Sequence, residues 1–218
     1  MKQLECKQVY LSLPPVLGEG DSVALDLELG GLREEQLHRP AGRFVSLACS
    51  FDGETAYLIQ DENEIQQFLD NISKATWVFH NSTFDIGHLR RWAIVEEHPI
   101  RDTMLIDKIL WSDYYDDFGL NDLVRRYLGC YMEKDVRKEF HDLEGEMTKE
   151  QIHYAALDVI GTWLVDREQQ KIWTEEDGRV WSKIDMPTVW TSISLDGFPI
   201  DSNQWLSLAE GYRAKKEE

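Results

Sequence analysis

The sequence is poor in cysteine and in positive charge, and it has no long apolar run. Three cysteines, Cys6, Cys49 and Cys130, are scattered over 218 residues, and no two stand in a CxxC pair. That spacing offers neither a thiolate zinc site nor a disulfide framework, so a reducing, cytoplasmic setting is expected. No apolar stretch approaches the roughly 20 residues that cross a bilayer, and no membrane partner is expected. The N-terminus, Met1-Lys2-Gln3-Leu4-Glu5-Cys6, is not followed by the apolar core of a secretion signal. Lys and Arg number 23 against 41 Asp and Glu, a net charge of −18. A general nucleic-acid coat protein would be basic, and this chain is not. The positive charge that exists clusters at Arg90-Arg91, Arg125-Arg126 and Arg137-Lys138. These pairs read as solvated helix faces at least as readily as ligand contacts.

What is present is enough apolar and aromatic material for a folded core. Hydrophobic residues make up 42%, with eight Trp, eight Tyr and eight Phe, which argues against disorder. Short apolar runs with β-branched or aromatic residues predict strands at Val23–Leu27, Phe44–Cys49, Thr55–Ile59 and Thr76–Phe79. The turn at Asp52-Gly53 makes the first three a meander. Helical periodicity predicts helices over Glu62–Ile72, Thr83–Trp92, Thr103 to about Leu110, and Leu120–Leu128. A long helix is expected from Thr148, the start of a partial capping box, to about Trp173. The charged segment Thr174–Arg179 closes this unit, and the pattern changes again from Ile184. Strands followed by a helix, a strand and further helices predict an α/β domain with a mixed central sheet flanked by helices.

The acidic residues carry the chemistry. Asp26 and Glu28 are one residue apart, so on a strand both side chains share a face while Leu27 points to the core. Oxygen ligands of this kind suit Mg²⁺ or Mn²⁺, although strand-end acids are often only solvated. Asp85 falls in the first turn of a helix directly after a buried strand, where an acid is favourable in any case. Tyr154 and Asp158 are four residues apart on the long helix and face the same way. Four carboxylates around two cations would suit activation of water and stabilisation of a leaving oxygen. Tyr154 would orient the water rather than act as a strong base.

These residues resemble the three motifs of the DnaQ-like, or DEDDy, superfamily of 3′→5′ exonucleases. Val23-Ala-Leu-Asp26-Leu-Glu28 is similar to its first motif, Asn81-Ser-Thr-Phe84-Asp85 to its second, and Tyr154-Ala-Ala-Leu-Asp158 to its third. The resemblance implies an RNase H-like fold. It implies catalytic roles for Asp26, Glu28, Asp85, Tyr154 and Asp158, with the four acids binding two Mg²⁺ or Mn²⁺ ions. It also places Leu27, Leu29, His80, Asn81 and Phe84 beside the substrate. Asp102, Asp107, Asp113, Asp116 and Asp117 are expected to be caps or solvated loop acids.

Within that superfamily the chain is most similar to the proofreading domain of family A DNA polymerases. Arg101-Asp-Thr-Met-Leu105 resembles the segment of that domain that opens the helix after the second motif, and Gly119-Leu-Asn-Asp-Leu-Val-Arg-Arg-Tyr-Leu-Gly129 resembles its Ser-Leu-x-x-Leu-type helix and following glycine. Asp185-Met-Pro187, with Leu195-Asp-Gly-Phe-Pro-Ile-Asp201, resembles the opening of its polymerase part. The expected organisation is an exonuclease domain over residues 1–180 and a C-terminal extension over 181–218. The expected substrate is the 3′ end of single-stranded or frayed DNA, wherever DNA is replicated, with a polymerase domain as partner in cis or in trans. An RNase D-like enzyme trimming RNA is the nearest alternative, and a catalytically inactive scaffold the next.

Overall fold

The computed structural model describes residues 1–31, 42–132, 143, 145–195 and 201–217. The basic pair Arg137-Lys138, most of the charged stretch before Gly145, and Asp196–Ile200 lie outside the described residues.

Six strands form the central sheet. In chain order they are β2 (Gln8–Tyr10), β3 (Ser22–Gly30), β4 (Arg43–Ser50), β5 (Thr55–Ile59), β6 (Thr76–Phe79) and β7 (Ile100–Asp102). Their spatial order is β2-β5-β4-β3-β6-β7. The predicted meander is the antiparallel set β3–β4–β5. β6 and β7 continue the sheet parallel to β3, and β2 runs parallel to β5 at the far edge. A separate parallel pair joins β1 (Lys2–Gln3) to β8 (Cys130–Tyr131). Strands this short carry almost no apolar pattern, which is why sequence alone gives no sign of them.

The helices are α1 (Ile65–Asn71), α2 (Ser82–Leu89), α3 (Thr103–Trp111), α4 (Leu120–Leu128), α5 (Lys149–Ile172), α6 (Glu175–Val180), α7 (Met186–Ser194) and α8 (Ser202–Glu217). The expected helix over 62–72 is divided. A 3₁₀ turn at Glu62–Glu64, capped by Asp61, precedes α1. The capping box at Thr148 is complete: its side chain accepts from Gln151, and the Gln151 side chain reaches back to the Thr148 backbone.

The sheet has two unlike faces. On one, Val23, Leu25, Leu27 and Leu29 of β3 join Phe68, Leu69, Ile86 and Leu89 in the larger core cluster. On the other, Ala24, Ala48, Ala56, Leu58 and Val78 pack against Ala155, Ala156 and Val159 of α5. Alanine on both partners lets α5 lie close to the strands. Gly53 supports the same approach at the β4–β5 turn. Its φ is +73°, and a Cβ there would come within 2.8 Å of Leu164 and Trp163 on α5.

The segment after α5 does not end in charged coil. A second capping box at Thr174 opens α6. α6 then passes through a π-helical turn at Trp181–Asp185 into α7. Trp181, Val189 and Trp190 are buried in the larger core cluster, and the Trp181 indole donates to the Ile100 carbonyl at 3.1 Å. Burying two tryptophans outweighs the polar character that the sequence presents there.

Candidate active site

β3 runs three residues beyond the expected Leu27 end, to Gly30. Asp26 and Glu28 therefore lie inside the strand and not at its tip. The reason is β4, which pairs with β3 as far as Gly30 opposite Arg43, with an irregularity between Glu28 and Leu29. Both acids are half-buried, while Leu25, Leu27 and Leu29 between and beside them are buried. They extend the face that begins with Ala24, so they look toward α5.

α5 completes the group. Asp158 sits one residue before the buried Val159 and is only 9% exposed. One carboxylate oxygen each from Asp26, Glu28 and Asp158 lie within 4.8 Å of one another. Oxygen ligands at about 2.1 Å from an octahedral cation span up to ~4.2 Å. The three acids thus stand within a small side-chain adjustment of a shared divalent ion. Three anions this close and this sheltered are mutually destabilising without cations, and that chemistry fits Mg²⁺ or Mn²⁺.

Asp85 comes from the other side of β3. β6 pairs with β3 only from Ser22 to Ala24 and ends at Phe79. Beyond that point the β6-side backbone of β3 has no strand neighbour among the described residues. Asp85, on the first turns of α2, fills the gap: its Oδ1 accepts the Leu27 N–H at 3.0 Å. Asp85 is 3% exposed. Burial and then the negative charge of Asp26 push its carboxyl well above the usual aspartate range, and the Leu27 N–H partly opposes them. Asp85 and Asp26 therefore feel each other directly. A cation beside them would reverse the balance and favour both carboxylates.

The remaining expected site residues fall in different places. Tyr154 lies one turn before Asp158 on α5 and is partly buried against the α5-side core. Leu27 and Leu29 turn their side chains into the opposite core cluster, so what Leu27 offers the acids is its backbone N–H. Phe84 is half-buried against that cluster, with its ring 4.5 Å from the His88 ring. His80 is half-buried, and its Nδ1 is 2.9 Å from Thr103 Oγ1. Asn81 has φ 77° and makes no side-chain cap to α2; asparagine is among the few residues that tolerate this left-handed geometry.

The cap that Asn81 does not supply comes from Asp102. This fully buried acid accepts from the Asn81 N–H at 3.2 Å, the Ser82 N–H at 2.6 Å and the Ser82 hydroxyl at 2.7 Å. It also caps α3 through the N–H groups of Met104 and Leu105. The cap to α3 is legible as Asp-Thr at a helix start; the grip on α2 is a tertiary contact that no local pattern announces. Asp107 departs from the expectation of a cap or a solvated loop acid. It is 0% exposed, pairs with Arg126 and accepts the Tyr127 hydroxyl at 2.6 Å. The helical repeat places it inward, and Arg126 is thereby committed to structure and not to a ligand. Asp113, Asp116 and Asp117 are exposed, as expected.

Comparison with known proteins agrees with this fold. The 3′–5′ exonuclease family matches residues 8–172. No curated protein matches the chain in sequence. Among solved structures, Brucella melitensis NrnC with bound Mg²⁺ is 25% identical, with 90% of this chain and 94% of that chain covered and a TM-score of 0.66. The same protein bound to pGG gives 22% identity, the same coverage and a TM-score of 0.65. Trypanosoma brucei RNase D in complex with RNA U12 is 14% identical, with 84% and 67% covered and a TM-score of 0.61. With an RNase H-like fold, its motifs in order and three of its acids converging on one point, the chain belongs to the 3′–5′ exonuclease family.

Proposed function

We propose that this protein is a two-metal-ion 3′–5′ exonuclease that removes terminal nucleotides from single-stranded or frayed DNA, in the manner of a proofreading domain. The convergence of Asp26, Glu28 and Asp158 within 4.8 Å carries the reading. With Asp85, these acids would hold two Mg²⁺ or Mn²⁺ ions. Such ions, when bound, supply Lewis-acid stabilisation of charge and a water of lowered pKa. Tyr154, one helical turn from Asp158, orients the water for in-line attack on the terminal phosphorus. The new P–O bond forms as the bond to the 3′ oxygen of the preceding nucleotide breaks. A nucleoside 5′-monophosphate leaves, and the strand ends in a new 3′ hydroxyl. His80, Asn81 and Phe84, on the turn and helix that carry Asp85, border the path of the terminal nucleotide.

The exonuclease unit is assigned to residues 1–180, and 181–218 to an extension anchored through α7. The motif resemblance to family A polymerases, including the Asp185-Met-Pro187 segment, supports DNA as substrate and a polymerase domain in cis or in trans as partner. A second reading is 3′ trimming of RNA or of very short strands. It is supported by likeness over nearly the whole of NrnC, a protein seen bound to pGG, and by likeness to RNase D seen with RNA U12.

The test uses 5′-labelled single-stranded DNA, single-stranded RNA and dinucleotides with Mg²⁺, Mn²⁺ or EDTA. Laddering of DNA from the 3′ end that EDTA and Asp26→Ala both abolish is the expected result. RNA or dinucleotides consumed at least tenfold faster than DNA would replace the DNA reading with the second one. No metal-dependent cleavage of any of the three would leave a scaffold role.

A further inference from the structure

We propose that the consecutive pair Asp102 and Thr103, at the junction of β7 and α3, are positioning residues that set the spacing between Asp85 and the other three acids. The proposal deepens the exonuclease reading and rests on it for its catalytic consequence. Its structural part stands separately.

Four acids can share two ions only if the elements carrying them are held in register. Asp26 and Glu28 are fixed by the β3–β4 ladder. Asp85 and Asp158 come from two helices, α2 and α5, with β3 lying between the packing faces they use. Something must tie α2 to α5, because a displacement of about 1 Å at such a site can cost on the order of 100-fold in rate.

Asp102 and Thr103 make that tie with nearly every polar atom they own. Asp102 Oδ2 accepts both the backbone N–H and the hydroxyl of Ser82, the first residue of α2. Its Oδ1 serves the Asn81 N–H and the start of α3. Thr103 Oγ1 donates to the Phe79 carbonyl at 3.1 Å, at the end of β6. Having spent its single proton there, the Thr103 hydroxyl can only accept from His80, so Nδ1 of His80 carries hydrogen. The Thr103 carbonyl then accepts from Gln169 Nε2 at 2.9 Å. Gln169 is 1% exposed and lies three turns along α5 from Asp158. The path is continuous: Asp85 through the first turn of α2 to Ser82, then Asp102 and Thr103, then Gln169 and α5.

The whole path is dry. Asp102 and Thr103 are each 0% exposed and Ser82 is also 0% exposed. A capping acid that served α3 alone would need only one oxygen. Here the second oxygen is given entirely to Ser82, which is what a device for placing α2 requires.

Asp102→Asn and Thr103→Val separate the two halves. Asparagine keeps the Oδ1 acceptor for α3 but sets an amide donor against the Ser82 N–H. Valine keeps the shape of Thr103 and the carbonyl that Gln169 uses, but it releases Phe79 and His80. Hydrogen exchange is read at the Leu27 amide, which Asp85 holds directly, and at the amides of β4. Mn²⁺ affinity is measured by calorimetry without substrate, and kcat and KM on single-stranded DNA.

In both variants the Leu27 amide is expected to exchange at least tenfold faster, with β4 unchanged. Mn²⁺ affinity and kcat should each fall about 10- to 100-fold, with KM altered less than threefold. Asp113→Asn, an exposed acid, should match the wild type in every readout. Wild-type exchange at Leu27 in a folded variant would overturn the proposal, and so would equal acceleration throughout β4, since that marks general destabilisation. A wild-type protein that binds no Mn²⁺ and cleaves nothing would overturn the exonuclease reading instead, and Leu27 exchange would still decide the positioning role.

Discussion

Asp85 reaches across from α2 to take the Leu27 N–H of β3 at 3.0 Å. This contact joins the second motif to the first. It also uses a carboxylate oxygen where a neighbouring strand would have supplied a carbonyl, so a proposed metal ligand doubles as a sheet partner. The buried position it requires sets Asp85 against Asp26 and raises its carboxyl well above the ordinary range.

That conflict predicts an unusual pH dependence. Without cations, folded Asp85 keeps a proton at pH values where the unfolded chain has lost it. The associated stability is complete below the ordinary aspartate range and is lost as pH rises through the raised range of Asp85. In EDTA, Tm should therefore fall as pH climbs through that window, and Mg²⁺ should restore it. Asp85→Asn keeps an acceptor for Leu27 and removes the charge. It should flatten the EDTA profile and shrink the Mg²⁺ effect in thermal unfolding. A variant with an unchanged EDTA profile would show that Asp85 is not the titrating group.

Tyr154→Phe tests the role assigned to the hydroxyl. Metal binding should be retained, because no carboxylate is touched. kcat should drop about 100-fold, the low end of what a positioned proton-handling group contributes. Single-turnover kinetics with calorimetric Mn²⁺ binding would separate the two effects. Loss of metal affinity equal to the loss of rate would place Tyr154 in the ligand shell.

Arg101 holds Asp166 on α5 through two bonds, at 2.6 and 2.9 Å, and also reaches Ser22 on β3 at 3.0 Å. Asp166 is 1% exposed, so Arg101→Ala leaves a buried charge short of its main partner. The expected cost is about 3 kcal/mol, the low end for a broken buried pair, because Arg167 and Gln170 still donate to Asp166. Denaturant unfolding would measure it, and a cost below about 1 kcal/mol would mean those two residues suffice.

Gly53→Ala should loosen the seat of α5. The added Cβ meets Leu164 and Trp163 at 2.8 Å on a backbone with φ +73°. Overpacking of this kind costs about 1–3 kcal/mol, or roughly 2–12 °C in Tm for a domain of this size. A Tm equal to the wild type would show that the two α5 side chains can move aside freely.

The sequence by itself determined the elements that have a strong period and the acids that sit on them. Thr55–Ile59, Thr76–Phe79 and Leu120–Leu128 appear with the bounds their patterns indicate, because alternation and helical repeat act within a few residues. Asp26 and Glu28 share a face for the same local reason, and Tyr154 and Asp158 share a helical side. Tertiary structure decided the rest. It extended β3 past Leu27 because β4 continues alongside, and it turned Leu27 and Leu29 into the opposite core. It folded the apparently polar stretch after α5 into α6 and α7, since Trp181 and Trp190 had a core to enter. It buried Asp107 against Arg126, and it made Asp102 the grip on α2. Each of these depends on a partner far away in the chain, and no window of sequence contains both members of such a pair.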